Sequence, residues 1–592
     1  MTVALPASEG VLDPEPVARR RVRVWRAGVR VGRVGWVPAV FLALSVWSHD
    51  TLIAHLGTRL PGSADGILFS WYFESVEQSL VHLHNPLFSS ALNAPAGVNV
   101  MWNTALLPLA VVCSPLTAAV GPFATVGVLF ILSPALSATT AFLVLRRLTR
   151  HSTGAALGSA MYGFGPFFVG QFGHLHLLFA VFPPLLVLFG HRLLVAGTDH
   201  PVRLGVWLGA VTGVQLLISE ELVVLCTIAV VVALFWLAVV NYRELSAFQR
   251  RWRTTATALG WAAGVGAAVV AIPLGYEFFG RQALPHGVRP GTARADLASL
   301  VRPSLLQHFA SHESIAANLH YPANGAENTA YLGWPLLCAI AVICVWGIVR
   351  RERFILWWAP TFASLIVLSL GSPISINGHD IGRGPWALVR RLPLVGGAQP
   401  VRFSLLVTLM VAALIAWLLA RCRGWHLMVL TAISAAMLLP LLPAHPAVAN
   451  RIPVTPAFFT SEAVEQIPTG AITVVLPQAA FPRVNGMVYQ IRSGLRFDLV
   501  GGYSVFEVHG RSSYVPVLPD FVNLLRKVDR TGQLPDPAEV AAAHASVSGS
   551  GVRYIVITDH TLHPALLAQS ASLITGCTPR QSADVVICRV PG

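Results

Sequence analysis

The fold is decided by the stretch at residues 204–241, which reads LGVWLGAVTGVQLLISEELVVLCTIAVVVALFWLAVVN. A helix that crosses a bilayer needs about 20 mostly apolar residues, so this stretch is too long for one crossing. Its charged residues are Glu220 and Glu221, and with Ser219 they interrupt the run near its middle. We therefore predict two membrane-spanning helices that meet in a tight hairpin at these glutamates.

Comparable apolar segments flank this hairpin on both sides. The chain has 592 residues, of which 54% are hydrophobic and 11% charged, and its mean hydropathy is +0.63. This composition excludes an ordinary soluble protein and indicates a polytopic α-helical membrane protein. We predict about eleven crossings, at 34–54, 124–145, 154–171, 176–196, 204–219, 221–241, 256–276, 330–349, 354–371, 403–420 and 424–442.

The distribution of positive charge predicts which loops face the cytoplasm. Seven arginines precede residue 34, and fourteen more lie in the short loops 146–150, 191–203, 242–253, 350–353 and 421–423. Eleven crossings place all of them on one side, which is cytoplasmic because Lys and Arg accumulate in cytoplasmic loops. Residues 1–33 then form a cytoplasmic tail, and the long loops 55–123, 277–329 and 372–402 face outward. The net charge of +14 is explained by anionic lipid and does not indicate nucleic-acid binding.

The first external loop contains two further apolar segments. Residues 104–121 include Pro108 and Pro115, and a crossing there would invert every later basic loop, so we predict a re-entrant or surface segment. Between Ile67 and His84 apolar residues recur at helical spacing. That pattern fits a helix in the membrane interface with its rings among the headgroups, and equally an amphipathic helix packed on other loops.

From about residue 443 the composition becomes that of a soluble domain. Short β-branched runs at 472–476, 552–558 and 584–590 alternate with helical patterns at 538–546 and 562–573. Residues 443–592 are therefore predicted to form a small extracytoplasmic α/β domain. Cys577 and Cys588 are its two cysteines, and an oxidising compartment would allow them to form a disulfide.

Asp65 is the first candidate for chemistry. It lies in PGSADG at 61–66, flanked by small residues and close to the predicted bilayer surface. A carboxylate there could remove a proton from an incoming hydroxyl. The alternative is a helix N-cap, since Asp before an apolar periodic stretch is a common start signal.

Other polar residues gather at the same predicted membrane face. His174 and His176, in a short external turn, could bind phosphate, orient an acceptor or ligate a metal. Acidic residues at membrane depth are expensive and suggest a site. External arginines are suited to a lipid phosphate or pyrophosphate, or simply to lipid headgroups. These acidic and basic candidates are Glu220, Glu221, Glu327, Arg383 and Arg402.

The order of these features resembles the GT-C superfamily of integral-membrane glycosyltransferases, and among them a bacterial branch with a C-terminal exported domain. The resemblance covers residues 34–442 and rests on several short segments. They are Asp65 in the first loop, HNPLF at 84–88, FLVLRRL at 142–148, YGFGP at 162–166, GHLH at 173–176, Glu327 before YLG at 331–333, and PVRF at 400–403.

The resemblance implies an inverting transfer of a sugar from a polyprenyl-phosphate donor to an acceptor on the outer face of a bacterial plasma membrane. Asp65 would be the base, while Arg402, with His174, His176 and Arg383, would hold the donor phosphate. Where relatives carry a second acidic residue, this chain has His174 and His176, which favours a mechanism without a divalent metal or other cofactor. A transporter or flippase of lipid-linked saccharides and a non-catalytic envelope scaffold remain alternatives.

Overall fold

The computed structural model describes residues 35–103, 106–242, 245–289, 291–392, 395–444 and 449–591. The predicted cytoplasmic tail at 1–33 lies outside these described residues. The part up to residue 444 is helical, and the part from residue 449 is a mixed α/β unit.

The helical part runs from residue 36 to residue 438. Its helices before the central hairpin are α1 (Trp36–Ser48), α2 (Asp50–Ala54), α3 (Ser63–Val81), α4 (Leu107–Val112), α5 (Ser114–Val120), α6 (Pro122–Thr149), α7 (Ser152–Phe164), α8 (Pro166–Gly170), α9 (Leu175–Leu178) and α10 (Pro183–His191). The later helices are α11 (Pro201–Ile218), α12 (Glu220–Val240), α13 (Leu245–Phe279), α14 (His312–Asn318), α15 (Trp334–Val349), α16 (Arg353–Ser369), α17 (Trp386–Val389), α18 (Ser404–Leu419) and α19 (Gly424–Leu438).

Seven helical segments in the described part are long and apolar enough to cross a membrane. They are Pro122–Thr149, Leu175–Ala196, Pro201–Ile218, Glu220–Val240, Trp252–Phe279, Pro400–Leu419 and Gly424–Leu441. The shorter apolar helices α1, α15 and α16 coincide with three more of the predicted crossings. The predicted crossing at 154–171 differs, because α7 ends at Phe164, Gly165 is extended, and Pro166 starts a new helix.

The centre of the helical part is the close contact between α7 and α18. A Cβ added to Gly158 would lie 2.4 Å from the carbonyl oxygen of Ala412, so the two backbones meet without an intervening side chain. The segments containing α6 and α18 are mostly buried, whereas few residues of α12, α13 and α19 are fully buried. That exposure is expected of helices whose neighbours are lipid tails.

Several basic loops lie next to each other. Arg421 pairs with Glu352 at 3.5 Å, which joins the 350–353 and 421–423 loops. The guanidinium of Arg192 lies close enough to Arg147 and Arg203 to be repelled by them. Four of the loops that the charge pattern assigned to one side therefore lie next to a second loop of that set.

The 55–123 loop, which was predicted to be external, differs from one of our expectations. Helix α3 does not place its rings among headgroups: Trp71, Tyr72 and Phe73 are fully buried against α6 and the α/β unit. The alternative interpretation, an amphipathic helix packed on other loops, is closer, although α3 packs on a helix and on the α/β unit. Residues 104–121 contain α4 and α5, which are separated at Cys113 and are each too short to cross a bilayer.

The α/β unit is built on a five-stranded sheet with strand order β12-β13-β11-β7-β8. Strands β7 and β11 are parallel, and β13 pairs antiparallel with both β11 and β12. Cys577 and Cys588 are joined as a disulfide with a Cα–Cα distance of 5.7 Å. The elements of this unit are β7 (Ile472–Leu476), α20 (Asn485–Arg492), β8 (Asp498–Leu499), β9 (Phe506–Val508), β10 (Arg511–Ser513), α21 (Asp520–Thr531), α22 (Pro537–Ser550), β11 (Tyr554–Thr558), α23 (Pro564–Thr575), β12 (Pro579–Ser582) and β13 (Val585–Arg589).

Short strand pairs complete the structure. One of them joins the first external loop to the segment that leads into the α/β unit, through β1 (Arg59–Leu60) and β6 (Asn450–Arg451). The others in the described residues are β2 (Phe88–Ser89) with β3 (Val98–Asn99), β4 (Ile374–Ile376) with β5 (His379–Gly382), and β9 with β10.

Candidate active site

Polar side chains from five separate segments meet at one end of the helical part. They are supplied by the first turn of α3, the turn before α9, the start of α12, the loop before α15 and the 3₁₀ turn before α18. The residues are Asp65, Gln171, His174, Glu221, Glu327 and Arg402. We call this set the polar chain.

The inner end of the polar chain is a clamp around Arg402. Its guanidinium contacts Glu327 through two nitrogens and Glu221 through a third. Burial alone would raise the pKa of the Glu327 carboxyl, but the charge and hydrogen bonds of Arg402, with help from His174 and Gln171, hold that pKa below its ordinary value. Glu327 is therefore an anion, as a buried partner of Arg requires.

Gln171 connects this clamp to the outer end. Its amide nitrogen donates to Glu327 Oε2 at 2.7 Å, while its amide oxygen lies 2.6 Å from His174 Nδ1. Because an ionised carboxylate only accepts hydrogen bonds, the amide must turn its NH₂ toward Glu327. His174 Nδ1 must then carry the proton and donate it to Gln171.

The tautomer of His174 decides what its other nitrogen can do. Nε2 faces Asp65 Oδ2 at 3.3 Å. With Nδ1 already protonated, a neutral ring would point a lone pair at the carboxylate. A ring protonated on both nitrogens would instead donate from Nε2 to Asp65, so the two side chains are placed to form an ion pair.

The α/β unit supplies a further contact to Asp65. The hydroxyl of Tyr503 donates to Asp65 Oδ1 at 2.8 Å. Burial and the nearby Asp65 charge raise the pKa of Tyr503 far above its ordinary value, so the phenol stays a donor. The site is therefore shared between the helical part and the α/β unit.

A pair of glycines brings Asp65 and His174 together. Gly62 has φ +71°, and a Cβ there would lie 2.6 Å from the Gly173 backbone. Gly62 is also the N-cap of α3, and no side chain caps that helix end. The N-cap interpretation of Asp65 is therefore wrong, since its carboxylate faces His174 and Tyr503.

Exposure increases toward the outer end of the polar chain. The Glu327 side chain is 5% exposed, whereas that of Asp65 is 28% exposed. A substrate would therefore meet Asp65 and His174 first.

The remaining candidates from the sequence lie beside or outside the polar chain. The ring of His176 is 5.9 Å from that of His174 and packs against Phe69. Glu220 faces the buried Glu277 of α13 instead of Arg402. Arg383 is exposed and directly follows the β4–β5 hairpin.

Two site residues were missed by sequence reasoning. Gln171 is three residues before His174 in the same turn, and its position in GQFGH at 170–174 was the one available signal. Tyr503 is 438 residues from Asp65 and carries no local signal.

The clamp also bears on metal binding. Within the described ranges, no group of three or more His, Cys, Asp or Glu is placed to hold a metal ion. The position between Glu221 and Glu327 is taken by the Arg402 guanidinium.

Residues 78–439 match the model of a family described as Domain of unknown function (DUF6311). The chain belongs to this family. Nothing among the curated proteins matches the DUF6311 chain.

Solved structures that resemble the DUF6311 chain are GT-C glycosyltransferases, which confirms at the level of fold the resemblance found in the sequence. The arabinofuranosyltransferase AftD from Mycobacteria is 14% identical with a TM-score of 0.55, over 95% of this chain and 40% of AftD. The chain thus spans less than half the length of AftD.

Two other matches have lower TM-scores, so the fold assignment rests on AftD. The Archaeoglobus fulgidus oligosaccharyltransferase is 15% identical with a TM-score of 0.46, over 88% of this chain and 68% of its own. ArnT from Cupriavidus metallidurans is 13% identical with a TM-score of 0.42, over 94% of this chain and 98% of its own.

Proposed function

We propose that the DUF6311 chain is an inverting membrane glycosyltransferase of a bacterial plasma membrane. It would move a sugar from a polyprenyl-phosphate donor to an extracytoplasmic glycan, lipid or protein acceptor, with Asp65 as general base. The observation that carries this proposal is the setting of Asp65 at the exposed end of the polar chain, with one oxygen facing His174 and the other bonded to Tyr503.

The chemistry follows from that setting. The acceptor hydroxyl gives its proton to the carboxylate of Asp65 as its oxygen attacks the anomeric carbon of the donor sugar. The bond from that carbon to the phosphate oxygen breaks, and polyprenyl phosphate leaves with the electron pair. A protonated His174 would offset the charge of Asp65 before the transfer, because its Nε2 faces the carboxylate.

The donor phosphate needs positive groups at this end of the molecule. A guanidinium has five N–H groups, and the contacts of Arg402 with Glu221 and Glu327 leave two of them free for a phosphate oxygen. His174 could act as a second donor only by turning a protonated Nε2 from Asp65 to the phosphate, because its Nδ1 donates to Gln171. We therefore propose a metal-independent mechanism, in which the Arg402 guanidinium occupies the position between the carboxylates of Glu221 and Glu327.

A transporter of lipid-linked saccharides is the main rival. Transporters usually place their polar groups near the bilayer midplane, between related halves. In this chain the polar groups collect at helix starts and in the loops before them, against the α/β unit. The arrangement favours chemistry at a surface over passage through the membrane.

The test is transfer of radiolabel from a polyprenyl-phosphate sugar in membranes prepared with and without the protein. The proposal expects labelled acceptor only where the protein is present, at the same rate with and without EDTA. Movement of labelled donor across sealed vesicles without labelled acceptor would instead establish the flippase. Loss of transfer in EDTA would contradict the metal-independent mechanism.

A further inference from the structure

Three aromatic rings form a row that runs from Asp65 onto the surface of the α/β unit. The ring of Tyr503, whose hydroxyl bonds Asp65, is stacked with Tyr514 at a centroid distance of 6.2 Å. The centroid of the Phe481 ring lies 5.3 Å from that of Tyr503. Phe481 is 59% exposed and Tyr514 is 51% exposed. We call these three residues the aromatic row.

The row is held in place by the backbone around it. The Tyr503 amide donates to Met487 Sδ at 3.3 Å, and the neighbouring Ser504 hydroxyl bonds Tyr72 of α3 at 3.0 Å. Phe481 lies in a tight turn closed by the Ala480 amide and the Arg483 carbonyl at 2.9 Å. The exposed rings are thus presented by ordered structure and leave apolar surface open beside a carboxylate.

The groups at the end of the row are polar. Tyr514 lies close enough to Asp65, Arg402 and Glu221 to respond to their charges. A ligand seated on the row would therefore meet ring faces along its length and hydroxyl, carboxylate and guanidinium groups at one end. Sugars fit this combination, because a sugar ring has C–H faces for aromatic contact and hydroxyls at its edge for hydrogen bonds.

We propose that the aromatic row binds a sugar ring of the acceptor, so that the acceptor is a glycan or glycoconjugate. This inference rests on the proposed function. The bound sugar contacts both Tyr514 and Phe481, and one of its hydroxyls replaces the Tyr503 hydroxyl beside Asp65. The row thereby delivers the nucleophile to the base, and the α/β unit selects the acceptor.

A prenyl chain is the competing occupant, and the row is poorly suited to it. A prenyl chain has no hydroxyl to pair with the two tyrosines. The row also belongs to loops of the α/β unit and not to a membrane-spanning segment. Farnesyl phosphate therefore serves as the second probe.

The test uses the full-length protein in detergent and saturation-transfer NMR titrations of three methyl glycosides: the α-mannopyranoside, the β-glucopyranoside and the α-arabinofuranoside. We expect at least one to bind the wild type. Phe481→Ala and Tyr514→Ala should each weaken the binding of that glycoside about three- to tenfold, which is the loss expected for one aromatic contact. Phe309→Ala removes a ring that is 61% exposed elsewhere and should leave binding unchanged.

Two results would overturn the proposal. One is the absence of a sugar site at the row. It would be seen either as no glycoside binding to the wild type or as equal binding to the wild type and the two variants. The other is that the variants lose farnesyl phosphate and keep the glycosides, which would assign the row to the lipid. Because binding is measured without transfer, glycoside binding without any transfer activity would reject the proposed function and keep the sugar site.

Discussion

Gln171 joins two charged pairs because its amide has one donor end and one acceptor end. It donates to Glu327 and accepts from His174, which turns the other nitrogen of His174 toward Asp65. Gln171 therefore connects the Arg402 clamp to His174 and sets which nitrogen of His174 faces the proposed base, Asp65.

Replacing Gln171 by Leu removes both hydrogen bonds at similar volume. Hydrogen bonds to charged groups contribute about 1.5–3 kcal/mol, so kcat for transfer should fall roughly 10- to 100-fold. Kinetics at saturating donor would measure this, and a rate near that of the wild type would show that the link is dispensable.

Gln215→Leu provides the matched control. Gln215 is also buried, but its amide atoms have no hydrogen-bond partner. Its loss should therefore leave transfer unchanged and the folded state at least as stable.

The residue types of the site explain how much of it the sequence could reveal. Asp65, His174, Glu221, Glu327 and Arg402 are ionisable groups near predicted membrane boundaries, where they are costly, so they could be found one at a time. Their pairing could not be predicted, because Arg402 contacts residues 181 and 75 positions away. Tyr503 could not be predicted from the sequence, because its contact with Asp65 depends on how the α/β unit packs.

At the scale of elements, α3 is the helix that attaches the α/β unit. Trp71 is fully buried, and its indole N–H donates to Gln490 of α20 at 2.8 Å. The next residue, Tyr72, bonds Ser504. The helical period of α3 was readable in the sequence, but period alone could not say whether its rings face headgroups or protein.

Trp71→Ala should loosen this attachment. Large-to-small changes of a buried aromatic cost about 3–5 kcal/mol, because a cavity remains. We expect a lower midpoint of thermal unfolding and faster release of the α/β unit in limited proteolysis. Trp334→Ala, at an exposed tryptophan, is the control; equal sensitivity of the two variants would contradict the attachment.

At the scale of the whole molecule, the one-sided arginines predict which loops face outward. The adjacency of the basic loops agrees with that pattern, but the orientation itself is still a prediction. Cysteines introduced at Ala316 and Ala541 should react with a membrane-impermeant maleimide in intact cells, and one at Asp199 should not. All three positions are exposed. Protection of the first two sites would overturn the orientation.

The overall architecture was easier to predict from the sequence than its local details. Apolar length identified most helices, and the change in composition after residue 442 marked the α/β unit. The break at Gly165–Pro166 and the short α4 and α5 depend on local backbone geometry. Strands β8 and β12, at the two edges of the sheet, carried too little pattern to be predicted.

The most direct measurement of the central claim is the transfer rate of Asp65→Asn against wild type in the polyprenyl-phosphate-sugar assay. Asn keeps the shape and can still accept from Tyr503, but it cannot take a proton from the acceptor. Loss of a positioned base should slow transfer roughly 10²–10⁴-fold while the variant remains folded and membrane-inserted. A near-wild-type rate in such a variant would contradict the assignment of Asp65 as the base.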